Sequence, residues 1–196
     1  MAQKGEQEGQ GPLEALAATA KGQKGLPPVH LWNPPLCPDI GLKIARDGTW
    51  WHQGAPIARP ALVTLFASVL RHDRDGYFLV TPVEKVPIAV EDAPFLAVSM
   101  RESAGDLIFR TNLDDEVRAD AEHPLRFEKG EAGGLKPYLR VRADLWALLT
   151  RSLAYDLMER AESRQMNGRE VMGVSSGGHF FVMEDGSADE CAPKQA

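Results

Sequence analysis

The sequence predicts an α+β fold of two similar small modules, each a helix packed on a mostly antiparallel sheet. Three observations carry this. Short apolar alternations are closed by Asp-Gly and Gly-rich turns. Two stretches carry a helical apolar stripe. The order hairpin, helix, hairpin occurs twice. The expected organisation is a flexible arm over residues 1–25, a first module with a proline-rich strap over 26–92, a second module with a linking hairpin over 93–186, and a polar tail over 187–196.

The arm is rich in Gly, Gln, Lys and Glu and has too little apolar area to fold alone. Pro12 and Gly22 allow one short helix, "PLEALAATAKG". The strap "LPPVHLWNPPLCPD" is too proline-rich for a helix or a central strand, so it is expected to be extended and pinned by Leu31, Trp32 and Leu36. "IGLKIARDGTWWHQG" reads as a hairpin turning at Asp47-Gly48. "RPALVTLFASVLRHD" reads as a helix, with Pro60 at its first position and Leu62, Leu65, Phe66, Val69 and Leu70 on one face. "DRDGYFLVTPVEKVPIAV" follows as two strands, which Pro82 and Pro87 mark as edges or bulges.

Phe95–Met100 and Leu107–Thr111 form the linking hairpin, and "NLDDE" is a further turn. The first pattern then returns. "PLRFEKGEAGGLKPYLRV" is a hairpin. "RADLWALLTRSLAYDLMERAE" is a helix capped by Asp144 with a leucine stripe. "REVMGVSSGGHFFVM" is a closing hairpin around "SSGG".

The 196 residues are 43% apolar and 26% charged, the balance of a soluble globular chain. A net charge of -6 with no dense Lys/Arg run disfavours nucleic acid. No apolar run reaches the roughly 20 residues that span a bilayer. Two isolated cysteines, Cys37 and Cys191, and a start that lacks a secretory pattern point to the cytoplasm. The five histidines show no metal-ligand spacing, and no cofactor is expected. "HDRDGYF" has acidic spacing like a calcium loop, but strand-like sequence follows it, so it reads as a helix-to-strand turn. Ser175 or Ser176 with His179 lacks a nucleophile-elbow context, and a hairpin turn is the better reading.

The candidate site centres on "DGTWWHQGAPIARP". Trp50 and Trp51 face opposite ways on a strand, one into the core and one to the far face near His52. Arg59 stands where Ser, Thr, Asp or Asn would cap the helix, so free N–H groups and a guanidinium together suit an anion. Glu84 and Lys85 also face opposite ways, and one of them needs an internal partner, for which Arg46, Arg59 and Arg140 are candidates.

"ARDGTWWHQGAPIARP" and "TPVEKVPIAVEDAPF", with "HPLR" and "PYLRVRADLWALLTRSLAYDLME", resemble a bacterial family known as domain of unknown function 1285. The resemblance runs over most of Pro27 to Glu159. It implies a two-module α+β fold with a repeated motif and a role in signal transduction or small-molecule sensing. It brings no catalytic residues.

The expected function is therefore a ligand-binding or regulatory protein. A small anionic ligand would sit between the modules, contacted by Trp51, His52, Arg59 and Glu84 and by Tyr138 and Arg140 of the second module. One alternative is a hydrolase or transferase with His52 as general base. Another is a module for a protein partner, recruited through the arm or the strap.

Overall fold

The computed structural model describes residues 26–130 and 133–183, together with residue 17. The helix expected over "PLEALAATAKG" and the polar tail with Cys191 lie outside the described residues, apart from that single position. The chain divides into two compact units, Met1–Glu91 and Asp92–Ala196.

The first unit holds β1 (Leu42–Ile44), β2 (Trp50–His52), β3 (Ala55–Pro56), α1 (Pro60–Ser68), β4 (Leu70–Asp73), β5 (Gly76–Val80) and β6 (Lys85–Val90). Its six strands lie in the order β3-β2-β1-β6-β5-β4. All neighbours are antiparallel except the central pair, β1 with β6. Asp47 accepts the Thr49 N–H at 2.9 Å and shapes the first turn. Gln53 and Gly54 both have positive φ, the requirement of a two-residue turn between twisted strands. Ile44, Trp50, Leu70 and Leu79 form the core, and Phe66 of α1 stacks on Trp50 at 6.4 Å.

Two sequence expectations are corrected in this unit. The helix ends at Ser68, and Leu70–Asp73 is a strand, so "DRDG" closes a β-hairpin and not a helix-to-strand turn. Leu70 satisfies both patterns, since its side chain stays buried while its backbone pairs with Leu79. Pro87 lies in β6, an interior strand and not an edge. It is tolerated there because the β1 ladder begins only at the Lys43–Ala89 pair, two residues further on.

The second unit begins with β7 (Phe95–Ser103), β8 (Asp106–Thr111), β9 (Glu116–Arg118), β10 (Leu125–Lys129), β11 (Leu135–Arg142) and β12 (Leu145–Leu149). Then come α2 (Arg151–Glu159), β13 (Glu162–Met166), β14 (Arg169–Ser176) and β15 (His179–Val182). The order β10-β11-β12-β7-β8-β9 is that of the first sheet read from the other end, again with its first and sixth strands parallel at the centre. β13, β14 and β15 form a separate three-stranded sheet.

The duplication is real, but its frame differs from the one expected. The second copy starts at Phe95, in the stretch read as a linking hairpin. A helix stands between the third and fourth strands of the first unit and after the sixth strand of the second. The helix expected from Asp144 starts only at Arg151. Leu145, Ala147 and Leu149 are buried at alternate positions of β12, which has a strand on each side. Leucines at 145, 148, 149, 153 and 157 fit a helical stripe equally well, so periodicity alone could not separate the two elements.

"SSGG" has a structural role. Ser176 is 1% exposed; its hydroxyl donates to the Ala119 carbonyl at 2.7 Å and accepts the Leu107 N–H at 2.8 Å. Its proton is committed to that carbonyl, which removes it as a nucleophile for His179. The turn instead ties the small sheet to the large one.

Candidate functional site

In the first unit the strand register sorts the expected residues by face. Trp50 and His52 share the face of Ile44 and Leu42, their partners across the ladder. Trp51 points to the opposite face, paired with Lys43 and Pro56. Trp50 is the core tryptophan, 2% exposed, and Trp51 is half-buried. His52 and Trp51 are thus adjacent in sequence and separated by the sheet. The buried His52 Nε2 has no hydrogen-bond partner among the described residues.

Arg59 is the N-cap of α1, exposed, and no side chain caps the helix start. Glu84 closes a turn with Thr81, whose Oγ1 accepts the Glu84 N–H at 3.1 Å. Its Oε2 is buried without a partner among the described residues. The internal ion pair belongs to Lys85, and its acceptor is Asp73 at 2.7 Å, none of the three arginines expected. Asp73 also pairs with Arg71 at 2.7 Å. The Arg71 hydrogen bond holds the Asp73 carboxyl below the usual carboxylate range, and Lys85 helps outweigh the opposing effect of burial.

Arg71 and Lys85 hold the strap. Arg71 Nη1 donates to the carbonyls of Val29 at 2.8 Å and Trp32 at 2.7 Å. The Cys37 N–H donates to the Lys85 carbonyl at 2.8 Å, beside a parallel bridge between Leu36 and Lys85. Backbone contacts fix the strap, whereas Leu31 and Leu36, expected as apolar pins, are 71% and 67% exposed.

In the second unit Tyr138 and Arg140 do share a face of β11. Tyr138 is 4% exposed, and its hydroxyl donates to Asp92 Oδ1 at 2.7 Å. Lys136 donates to Asp92 Oδ2 at 2.7 Å. Burial, with the Asp92 charge, raises the Tyr138 pKa. Burial pulls the Lys136 ammonium down, but its bonds to Asp92 and Tyr138 outweigh this, and its pKa is raised. The Arg140 Nε donates to the Ala143 carbonyl.

The same face continues across the sheet. Arg126 pairs with Tyr138, Arg140 with Trp146, Ser99 with Arg110, and Arg110 with Glu116. Arg101, Arg110, Arg118, Arg126, Lys136 and Arg140 therefore project from one side of a chain whose net charge is -6. Asp106, Glu116 and Glu128 are the acidic residues among them. A hollow of about 230 Å³ opens on this face, lined by Ser99, Met100, Arg101, Ile108, Arg110 and Glu116. Arg101 meets Glu116 at 3.2 Å and Arg110 meets Asp114 at 3.6 Å; all four side chains are more than half exposed.

This face leaves no Lys/Arg run in the sequence because its cations stand at alternate positions of separate strands. The usable signal was the period-two placement in "LRFEK" and "LKPYLRVR". Among the described residues no group of three or more His, Cys, Asp or Glu could hold a metal, and no helix is long and apolar enough to cross a membrane.

Family models for the N-terminal and C-terminal domains of DUF1285, both described as of unknown function, match residues 27–93 and 94–183. A crystal structure of a DUF1285 family protein from Silicibacter pomeroyi DSS-3 is similar, with a TM-score of 0.76 and 46% identity over 85% of this chain and 93% of that one. A DUF1285 family protein from Shewanella baltica OS155 aligns with a TM-score of 0.49 and 29% identity over 61% of this chain and 91% of that one. No curated protein matches.

Proposed function

We propose a ligand-binding, regulatory role for this chain, which belongs to the DUF1285 family, with a small organic anion held in the hollow on the basic face of its second unit. The observation that carries the reading is the placement of Arg101 and Arg110 in one hollow beside Ile108 and Met100. Two guanidinium forks suit a carboxylate or phosphate, and the apolar side chains suit the body of a small molecule. The ion pairs that now occupy the arginines are exposed, and such pairs are worth about 0–1 kcal/mol, so a ligand can open them cheaply. Ser99 is the one hydroxyl among the lining residues, with no histidine or cysteine beside it, which favours binding over chemistry. Tyr138 and Arg140 share this face. In the first unit, Arg59 and the uncapped start of α1 stand as a second proposed seat for the charge; Trp51 and His52 lie on opposite faces of the sheet and could not both contact one ligand there.

A thermal-shift screen of phosphate, nucleotides and organic acids tests the reading. A ligand at a hundred times its dissociation constant adds about 2.7 kcal/mol. The shift should vanish in the Arg101→Ala/Arg110→Ala double variant. A shift that the double variant retains and Arg59→Ala abolishes moves the site to the first unit. A shift that survives in both sinks both sites.

A further inference from the structure

The two sheets have the same strand order, so positions in one have counterparts in the other. Leu70, Arg71 and Asp73 face Leu79, Phe78 and Gly76, while Leu125, Arg126 and Glu128 face Leu139, Tyr138 and Lys136. Both fourth strands read Leu-Arg-x-acid: "LRHD" and "LRFE". One strand further in, Phe78 pairs with Pro87 and Val80 with Lys85, as Tyr138 pairs with Leu148 and Arg140 with Trp146. Arg71, Phe78 and Lys85 thus correspond to Arg126, Tyr138 and Trp146.

The first trio carries an extended, proline-rich segment. Arg71 takes two strap carbonyls, the Lys85 backbone takes the strap at Leu36 and Cys37, and the Lys85 ammonium lies 4.0 Å from the Phe78 ring centre. In the second trio the Arg126 guanidinium lies 4.4 Å from the Trp146 ring centre and 5.2 Å from that of Tyr138. It pairs with Glu128 at 2.9 Å, as Arg71 pairs with Asp73. The Nε of each arginine is buried with no hydrogen-bond acceptor among the described residues. The second trio has the fork and the rings, but among the described residues no backbone carbonyl sits on its fork as two do on Arg71.

We propose that Arg126 and Trp146, packed over the buried Tyr138, form a docking site for an extended proline-rich segment of a partner protein, bound as the first unit binds its own strap. Arg126 takes backbone carbonyls, and Trp146, half-buried, offers an edge for proline rings. A polyproline segment suits this seat because it has no internal hydrogen bonds, presents its carbonyls outward and loses little entropy on binding.

The test is fluorescence anisotropy with a labelled peptide of the strap sequence Leu26–Asp39, carrying serine at position 37, titrated with the full chain. Saturable binding is expected. It should weaken tenfold or more with Arg126→Ala, and also with Arg126→Lys, which keeps the charge and the stem but lacks the planar fork. Replacing the peptide's prolines by alanine should remove binding. The proposal is overturned by an absence of saturable binding, by indifference to both Arg126 variants, or by equal binding of the alanine peptide. Binding gained only when the chain is shortened to end at Met183 assigns the seat to the chain's own end. Self-association abolished by Arg126→Ala assigns it to a second copy. Either result overturns the partner reading.

Discussion

Arg71 and Arg126 occupy the same place in two copies of one sheet, yet one is committed and the other is available. Arg71, 15% exposed in its side chain, holds two strap carbonyls and Asp73. Arg126, 36% exposed, leans on two rings and one carboxylate. The difference teaches that a duplicated fold can keep a binding geometry while changing what occupies it. In the first unit the occupant is a covalent neighbour, so the contact is structural. In the second the same geometry is offered to something else.

The sharpest way to break the comparison is Arg71→Ala. Hydrogen bonds to charged groups are worth about 1.5–3 kcal/mol, and the change also strands Lys85 beside a half-satisfied Asp73. A loss of about 2–4 kcal/mol in urea unfolding is expected, with new protease cleavage within residues 26–39. A loss under about 0.5 kcal/mol would mean that other contacts hold the strap.

Ser176→Ala comes next, because only the second unit carries a third sheet. It removes both buried hydrogen bonds of one hydroxyl, at a cost of about 1–3 kcal/mol, and hydrogen exchange should quicken at Leu107. Unchanged exchange there would show that packing alone seats the small sheet.

A smaller effect is expected from acid. The folded-state pKa of Asp73 lies below its unfolded value, so its contribution is present above about pH 4 and is lost as pH falls through the folded value. Asp73→Asn should lower stability at neutral pH and flatten its decline in acid. A decline as steep as that of the parent would remove Asp73 from the clamp. Arg126→Ala should matter least to folding, within about 1 kcal/mol in the same urea measurement, since its ion pair with Glu128 is half-exposed. A loss equal to that of Arg71→Ala would abolish the contrast between the two units.

Much of the sheet structure was legible. Asp47-Gly48, the alternation of Leu42 and Ile44, and the glycines of the later hairpins marked strands and turns without tertiary information. The boundaries failed where apolar residues served two periods at once, at Leu70 after α1 and at Leu145 to Leu149 before α2. Both stretches are short and flanked by a helix, and burial keeps the same residues apolar in either state. The repeat was visible as an order of elements, but its frame was hidden because the helices occupy different connections. The marker that fixes the frame, "LRHD" against "LRFE", is only four residues long. For the site, Tyr138 and Arg140 were on a shared strand and could be paired by counting twos. The opposite facing of Trp50 and Trp51 followed from the same count. That His52 lies on the core face beside Leu42 required the register of β1 with β2.

The central pairing of first and sixth strands has a consequence for how the chain is made. β1 cannot meet β6 until residues up to Val90 have left the ribosome, and β7 must wait for β12 at Leu149. Each sheet closes around a loop of about 50 residues, so its middle is assembled last and at the highest entropic cost. Two hairpin-built halves can form early in each unit, but each exposes an open strand edge until the sixth strand arrives. The first unit can close its sheet while the second is still being synthesised, which limits the time that two unfinished, similarly patterned sheets coexist and could exchange strands.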